Sequence, residues 1–282
     1  MAFTTTITIS ELAEHLGDLD WAVIDSRFKL ANPDQGRMDY ETSHIAGAVY
    51  AHLDHDLSGP VIAGVTGRHP LPGVAHVSDA FSRCGIDSSV QVVAYDDQGG
   101  AMAAARVWWL LRWLGHEAVA VLDGGWQEWI RHNLPVRGGS ETRQPRKFIP
   151  HPRDELIAST GEVDKMRVDP KYRVLDARSA DRYRGENETI DPVAGHIPGA
   201  ISAPYAVNLN PNGTFRNDKS IAARYKKLVN GVPIDHVVYY CGSGVTAAHD
   251  VLAMMKAGLG EARLYAGSYS EWITDPKRPV EK

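Results

Sequence analysis

Cys241 closes an apolar run and opens a glycine-rich one in YYCGSGVTAAHD, Tyr239 to Asp250. A cysteine does chemistry as its thiolate, and a free thiol with a pKa of about 8.5 is only a few per cent ionised near neutrality. A tight loop leading into a helix supplies what the anion lacks. Inward backbone N–H groups and the first helical turn carry positive partial charge. Gly242, Ser243, Gly244, Val245 and Thr246 make up that loop, the glycines permitting the turn and Thr246 reading as a cap or loop hydrogen-bonder. The pattern predicts a nucleophile activated by backbone, with no charged neighbour required. The second cysteine, Cys84 in FSRCGID, precedes a helix-ending glycine and reads as core. Two cysteines give neither a disulfide framework nor a multi-cysteine metal site. HLDHD, 52–56, is poor ligand geometry, so no metal and no cofactor are expected.

Such a loop needs a strand before it and a helix after it, and the chain supplies this arrangement twice. WAVIDSR ends at Arg27 and YRVLDAR at Arg178; SHIAGA surrounds His44 and GHIPGA surrounds His196. VVAYD ends at Asp96 and VVYYC at Cys241, while DGGWQEW and AGSYSEW carry Trp129 and Trp272. Four anchors in one order, at offsets near half the chain, mean a duplicated domain rather than a short-period solenoid. Short β-branched runs alternate with helical stretches such as MAAARVWWLLRWLG, which predicts an α/β fold with a small parallel sheet flanked by helices in each half. Trp108, Trp109 and Trp113 at helical spacing read as packing against the sheet. Boundaries fall at 1–138 and 155–282, with the Gly-, Pro- and charge-rich 139–154 as a linker.

The position matching Cys241 in the first half is Asp96, so that half is expected to be catalytically silent. From His44 to Asp96 is 52 positions, against 45 from His196 to Cys241. The extra residues lie in the region of GVTGRHPLP, which is expected to reach the Cys241 loop. Arg27, Arg178, His44 and His196 occur in both halves, which favours roles in the fold, such as pairing with Asp25 or Asp176.

The 282 residues suffice for two domains of ordinary size. With 43% hydrophobic and 23% charged residues the composition is globular, and a net charge of −5 gives no basic field for nucleic acid or anionic membrane. No apolar stretch approaches the roughly 18–20 residues that span a bilayer. The start, MAFTTTITISELAEHL, has neither signal-peptide nor transit-peptide character, so a cytoplasmic location is expected.

CGSGVTA, the DSR/DAR and HIAGA/HIPGA pairs and the tandem arrangement together resemble the rhodanese superfamily of sulfurtransferases, in particular its 3-mercaptopyruvate branch. That resemblance implies tandem rhodanese-like domains. It also implies a persulfide on Cys241, formed from a small-molecule donor and passed to a thiol, cyanide or thioredoxin-like acceptor. Members preferring thiosulfate carry basic residues directly after the cysteine, where this chain has Gly242 and Ser243; a neutral loop suits 3-mercaptopyruvate. By the same resemblance Arg182 in ARSADRY grips the donor carboxylate. The second arginine that the branch carries before GHIPG is missing from ETIDPVAGHIPG, and Arg184 is the available substitute. The branch's relay maps onto Ser243, His69 and Asp54, which would handle the donor's proton.

Three other readings compete. A thiosulfate:cyanide sulfurtransferase is the runner-up. A cysteine phosphatase of related fold needs Cys-x5-Arg, and the sixth residue after Cys241 is Ala247. A non-catalytic binding module would be favoured only without the cysteine.

Overall fold

The computed structural model describes residues 2–282. Eleven short strands alternate with ten helices among the described residues. The strands are β1 (Thr6–Ile7), β2 (Trp21–Asp25), β3 (His44–Ile45), β4 (Val49–Tyr50), β5 (Gln91–Tyr95), β6 (Val119–Leu122), β7 (Val136–Arg137), β8 (Arg173–Asp176), β9 (Ile201–Ser202), β10 (Val237–Tyr240) and β11 (Arg263–Leu264). The helices are α1 (Ile9–Glu14), α2 (Gln35–Thr42), α3 (Val74–Arg83), α4 (Ala103–Trp113) and α5 (Gly125–Arg131), then α6 (Thr160–Met166), α7 (Ala180–Tyr183), α8 (Asp218–Val229), α9 (Thr246–Lys256) and α10 (Ser268–Trp272).

One all-parallel sheet runs β1-β6-β5-β2-β4 and the other β11-β10-β8-β9. The central strands β5 and β10 are buried along their whole length, as continuous apolar runs between helical layers must be. Every residue of α4 is buried, Trp108, Trp109 and Trp113 among them, which is how a helix apolar on all sides is accommodated. The chain divides into two compact units. The first holds residues 1–59, 72–153 and 209–215, and the second 60–71, 154–208 and 216–282. Three features depart from the boundaries the sequence suggests, the first being that residues 209–215 group with the first unit. The 60–71 stretch, in the longer first repeat, packs with the second unit. The expected linker packs onto the first unit through residue 153, with Gly139, Arg146, His151 and Arg153 donating backbone N–H bonds to Glu41, Ser82, Leu114 and Trp113 and Phe148 buried against Phe81. Its Gly and Pro residues deny it helix or strand, but its amides and one aromatic still find buried partners.

Each unit carries the same polar frame at the end of its sheet. In the first, Arg27 forks onto Asp25 at the end of β2, reaches the Ser43 carbonyl at 2.7 Å, and Tyr95 Oη donates to Asp25 at 2.6 Å. In the second, Arg178 forks onto Asp176 at the end of β8 and reaches the Gly195 carbonyl at 2.8 Å. His44 and His196 each bond a backbone carbonyl, of Tyr40 and Tyr183 respectively, at 2.8 Å and stack on that residue's ring. These buried bidentate pairs tie the strand ends to the turns that follow.

On the buried side of α9 the helix carries Asp250, fully buried, accepting hydrogen bonds from Asn208 and Tyr225 at 2.7 Å with Arg224 at 3.8 Å. Burial pushes this carboxyl up to about 7, against the opposing pull of Arg224 and the two hydrogen bonds. A carboxyl whose folded pKa is raised binds its proton more tightly in the native state than in the unfolded chain. Its contribution to stability is therefore present at low pH and is lost as pH rises from about 4 to about 7. We predict that Asp250→Asn is less sensitive to pH across this window, and more stable than wild type at pH 8 by on the order of a few kcal/mol. Denaturant unfolding of both proteins at pH 5 and pH 8 measures this; a difference that does not grow with pH contradicts it.

Candidate active site

β10 ends at Tyr240, and Cys241 begins the loop that enters α9. The loop is fixed by backbone. The Cys241 N–H donates to Ser268 Oγ at 3.1 Å, and the carbonyls of Cys241 and Gly242 accept from the N–H groups of Tyr269 and Ser270 at 3.0 and 2.9 Å. Ser268 adopts a left-handed φ of 56°, unusual for a residue with a side chain, and its hydroxyl is thereby aimed at the cysteine amide. At Gly244 φ is +77°, and a β-carbon there would lie 2.3 Å from the Ala266 carbonyl oxygen. Only glycine satisfies both constraints. The Gly244 N–H then points at the cysteine, donating to Sγ at 3.2 Å. The N-cap of α9 is Val245, which has no side-chain acceptor to offer, and Thr246 is the first helical residue rather than the cap. Among the described residues no side-chain hydrogen bond caps α9.

The first unit shows what this loop geometry favours. Asp96, at the end of β5, is fully buried and accepts four backbone bonds: Oδ1 from Gln98 and Gly100 at 2.8 Å, and Oδ2 from Met102 and Ala104 at 2.9 and 3.1 Å. Burial raises the pKa of this carboxyl against the lowering effect of the amides. All four partners are donors, so both oxygens act only as acceptors, the pattern of the ionised form. The loop between strand and helix is thus built to hold an anionic atom, filled by a carboxylate in one repeat and presented to a sulfur in the other. Cys84 differs: buried at the end of α3, its thiol is pushed up to about 12 by burial, which marks it as inert core.

Around the sulfur stand charged and hydroxyl side chains. Ser243 is buried, and its Oγ lies 2.7 Å from His69 Nδ1. The neighbouring Arg68 N–H donates to Ser270 Oγ at 3.1 Å, holding the 60–71 segment to the start of α10. Two guanidiniums lie over the loop. A β-carbon placed on Gly242 would sit 2.8 Å from Arg68 Nη2 and 3.7 Å from Arg182 Nη2, so the missing side chain leaves room for both. Arg182, on α7, forks onto Glu188 at 2.9 and 3.0 Å and reaches Asp191 Oδ2 at 3.0 Å. Arg68 Nη1 donates to the other oxygen of Asp191. Burial pushes the Glu188 carboxyl up, but the Arg182 fork and the Asp191 and Ile190 amides outweigh it and hold its pKa below the ordinary value. Cys241 itself is only 2% exposed, and Gly242 beside it is buried too, next to the two guanidiniums.

The structure therefore brings Cys241, Gly242, Ser243, Gly244, Val245, Thr246, His69 and Arg182 into one neighbourhood. It does not bring Arg184, which is exposed and forks onto Glu186 at 2.7 and 2.6 Å. The second cation at the loop is Arg68, which precedes His69 in the same GRHPLP string and lacked any motif to mark it. Ser268 was equally unmarked, since only its left-handed backbone reveals its use. Asp54 belongs to the first unit, where its N–H donates to His52 Nδ1 at 3.1 Å. Among the described residues no group of three His, Cys, Asp or Glu side chains could hold a metal ion.

The rhodanese-like domain model matches residues 8–132 and 159–275. A Pseudomonas aeruginosa protein named "Probable 3-mercaptopyruvate sulfurtransferase" is 45% identical over 281 residues, covering 99% of both chains. A Mycobacterium tuberculosis protein named "Putative thiosulfate sulfurtransferase SseB" is 40% identical, covering 97% of this chain and 95% of that one. Among solved structures, the 3-mercaptopyruvate sulfurtransferase from Leishmania major superposes with a TM-score of 0.84 at 31% identity, over 95% of this chain and 74% of the other.

Gly244→Ala forces a β-carbon onto the Ala266 carbonyl and a side chain into a left-handed backbone, so it displaces the amide from Sγ. We predict that it slows alkylation of Cys241 by iodoacetamide at neutral pH by about tenfold or more while circular dichroism is unchanged, since losing a hydrogen bond to a charged group costs about 1.5–3 kcal/mol. An unaltered alkylation rate would show that this amide does not activate the thiol.

Proposed function

The chain belongs to the rhodanese-like family, and from that membership we propose a sulfurtransferase that draws sulfur from 3-mercaptopyruvate onto Cys241 and passes it to a thiol or cyanide acceptor. The Cys241 thiolate attacks the donor sulfur. The carbon–sulfur bond breaks, its electron pair leaves on the enolate of pyruvate, and the donor's thiol proton is carried to that carbon. An acceptor nucleophile then takes the outer sulfur and restores the thiolate. The observation that carries this reading is the amide-lined loop: Gly244 N–H lies on Sγ, and the equivalent loop of the first unit holds a carboxylate on four amides. A thiol surrounded this way is a good nucleophile and, once it has left the persulfide, a stable leaving group.

Roles follow from position. Arg182 and its planar fork receive the donor carboxylate beside Gly242. Ser243 and His69, in hydrogen-bond contact, convey the donor proton, and the family resemblance, rather than position, adds Asp54 as the third member of that relay. The first unit, with Asp96 where the nucleophile would stand, carries no sulfur. A reducing cytoplasm suits a free reactive thiol, and among the described residues no helix is long and apolar enough to cross a membrane. A thioredoxin-like protein is a fitting acceptor in that setting. Against thiosulfate as the preferred donor stands the neutral pair Gly242 and Ser243 immediately after the cysteine.

Steady-state kinetics with each donor, using cyanide as acceptor, tests this. We predict kcat/KM higher for 3-mercaptopyruvate than for thiosulfate in wild type. Arg182→Ala should lower the 3-mercaptopyruvate value about 10- to 100-fold, the worth of a lost charged hydrogen bond. His69→Ala and Asp54→Asn should lower kcat more than they raise KM. Cys241→Ser should abolish transfer. Equal or better use of thiosulfate by wild type overturns the donor assignment, and full activity in Cys241→Ser overturns the mechanism.

A further inference from the structure

The two guanidiniums over the cysteine loop share one carboxylate. Asp191 Oδ1 accepts from Arg68 and Oδ2 from Arg182 at 3.0 Å, so a single side chain bridges two arginines that arrive from distant parts of the sequence. Glu188 takes the rest of the Arg182 fork, and the Asp191 N–H donates to Glu188 Oε1 at 3.0 Å, which pins the bridge in place. The arrangement is layered. The two carboxylates are 1% exposed, whereas Arg68 and Arg182 are 26% and 17% exposed. An incoming donor therefore meets guanidinium N–H groups at the front of a cluster whose formal charge sums to zero.

From this layering we infer that Asp191 sets donor selectivity by charge: it cancels one of the two positive charges, so the Arg68–Arg182 pair hydrogen-bonds a monoanionic carboxylate without offering the net positive field a dianion needs. Arg68, supplied by the 60–71 segment, is the second arm of that receptor, in the place the sequence left to Arg184. The inference rests on the reading that 3-mercaptopyruvate is the donor at Cys241 and names what favours it over thiosulfate. Planar N–H forks bind a carboxylate at short range whatever the distant charge. A dianion has twice the stake of a monoanion in the net field of a partly buried site, where charges are weakly screened. Asp191 is a positioning and selectivity residue, since it touches the arginines and not the reacting sulfur.

The test measures kcat/KM for 3-mercaptopyruvate and for thiosulfate, in low and high salt, in Asp191→Asn, Asp191→Glu and Arg68→Gln. Asp191→Asn keeps the shape and leaves one positive charge uncancelled. It should shift the thiosulfate-to-mercaptopyruvate ratio toward thiosulfate by on the order of tenfold, and high salt should shrink that shift. Arg68→Gln should lower both values and move the ratio the other way, and Asp191→Glu, with the charge restored, should hold it near wild type. A loss of structure alone lowers both donors together and leaves the ratio fixed. If Asp191→Asn proves unstable, the ratio in Arg68→Gln decides the matter. A ratio unmoved in the folded variants, or moved in the opposite sense, overturns the inference while leaving the function intact. Failure of the functional reading itself looks different: wild-type protein then uses thiosulfate as well as or better than 3-mercaptopyruvate, or takes up sulfur from neither donor.

Discussion

A strand that ends in the middle of a parallel sheet leaves its next residue facing a ring of backbone amides, and those amides want an anion. This constraint organises the molecule twice. In the first unit the ring closes on Asp96 with four N–H bonds, and in the second it opens onto Cys241, with Gly244 N–H on the sulfur. The loop geometry that holds a carboxylate on four amides in one unit places a backbone N–H on a sulfur in the other. The two loops differ in the one side chain that meets the amides, and peptide dipoles stabilise negative charge without regard to which atom bears it.

The surrounding architecture exists to keep that ring in register. Asp25 with Arg27 and Asp176 with Arg178 clamp neighbouring strand ends to their turns, and in the second unit the clamp reaches Glu188, 3.4 Å from Arg178, and so the charged cluster beside the cysteine. Ser268 and the amides of Tyr269 and Ser270 brace the loop from α10. The 60–71 segment completes the site with His69 on Ser243 and Arg68 over Gly242, so a stretch belonging to one repeat by sequence serves the other by packing. The site is a composite, and its rigid parts are backbone.

The duplicated α/β architecture was legible because hydrophobic runs and repeated motifs report directly on buried strands. Cys241 and its loop were legible because glycine spacing encodes a backbone path. Arg182 and His69 followed from motif resemblance. The placement of Arg68 was not legible: it depends on a β-carbon missing at Gly242, far away in sequence, and on a carboxylate, Asp191, that no local pattern connects to it. Arg184 lies close to Arg182 in sequence, but at the C-cap of α7 it is exposed and Glu186 takes its fork. The stretch after residue 138 read as a linker because its composition forbids regular structure. Composition cannot say that its amides find buried partners.

The central claim is that this loop makes the Cys241 sulfur a carrier of sulfur. Mass spectrometry of the cysteine-containing peptides, after 3-mercaptopyruvate is added without acceptor and again after cyanide, tests it most directly. The account predicts one added sulfur atom on the Cys241 peptide, none on the Cys84 peptide, and its removal by cyanide. Sulfur appearing on Cys84 instead, or on neither peptide while pyruvate is released, would contradict it.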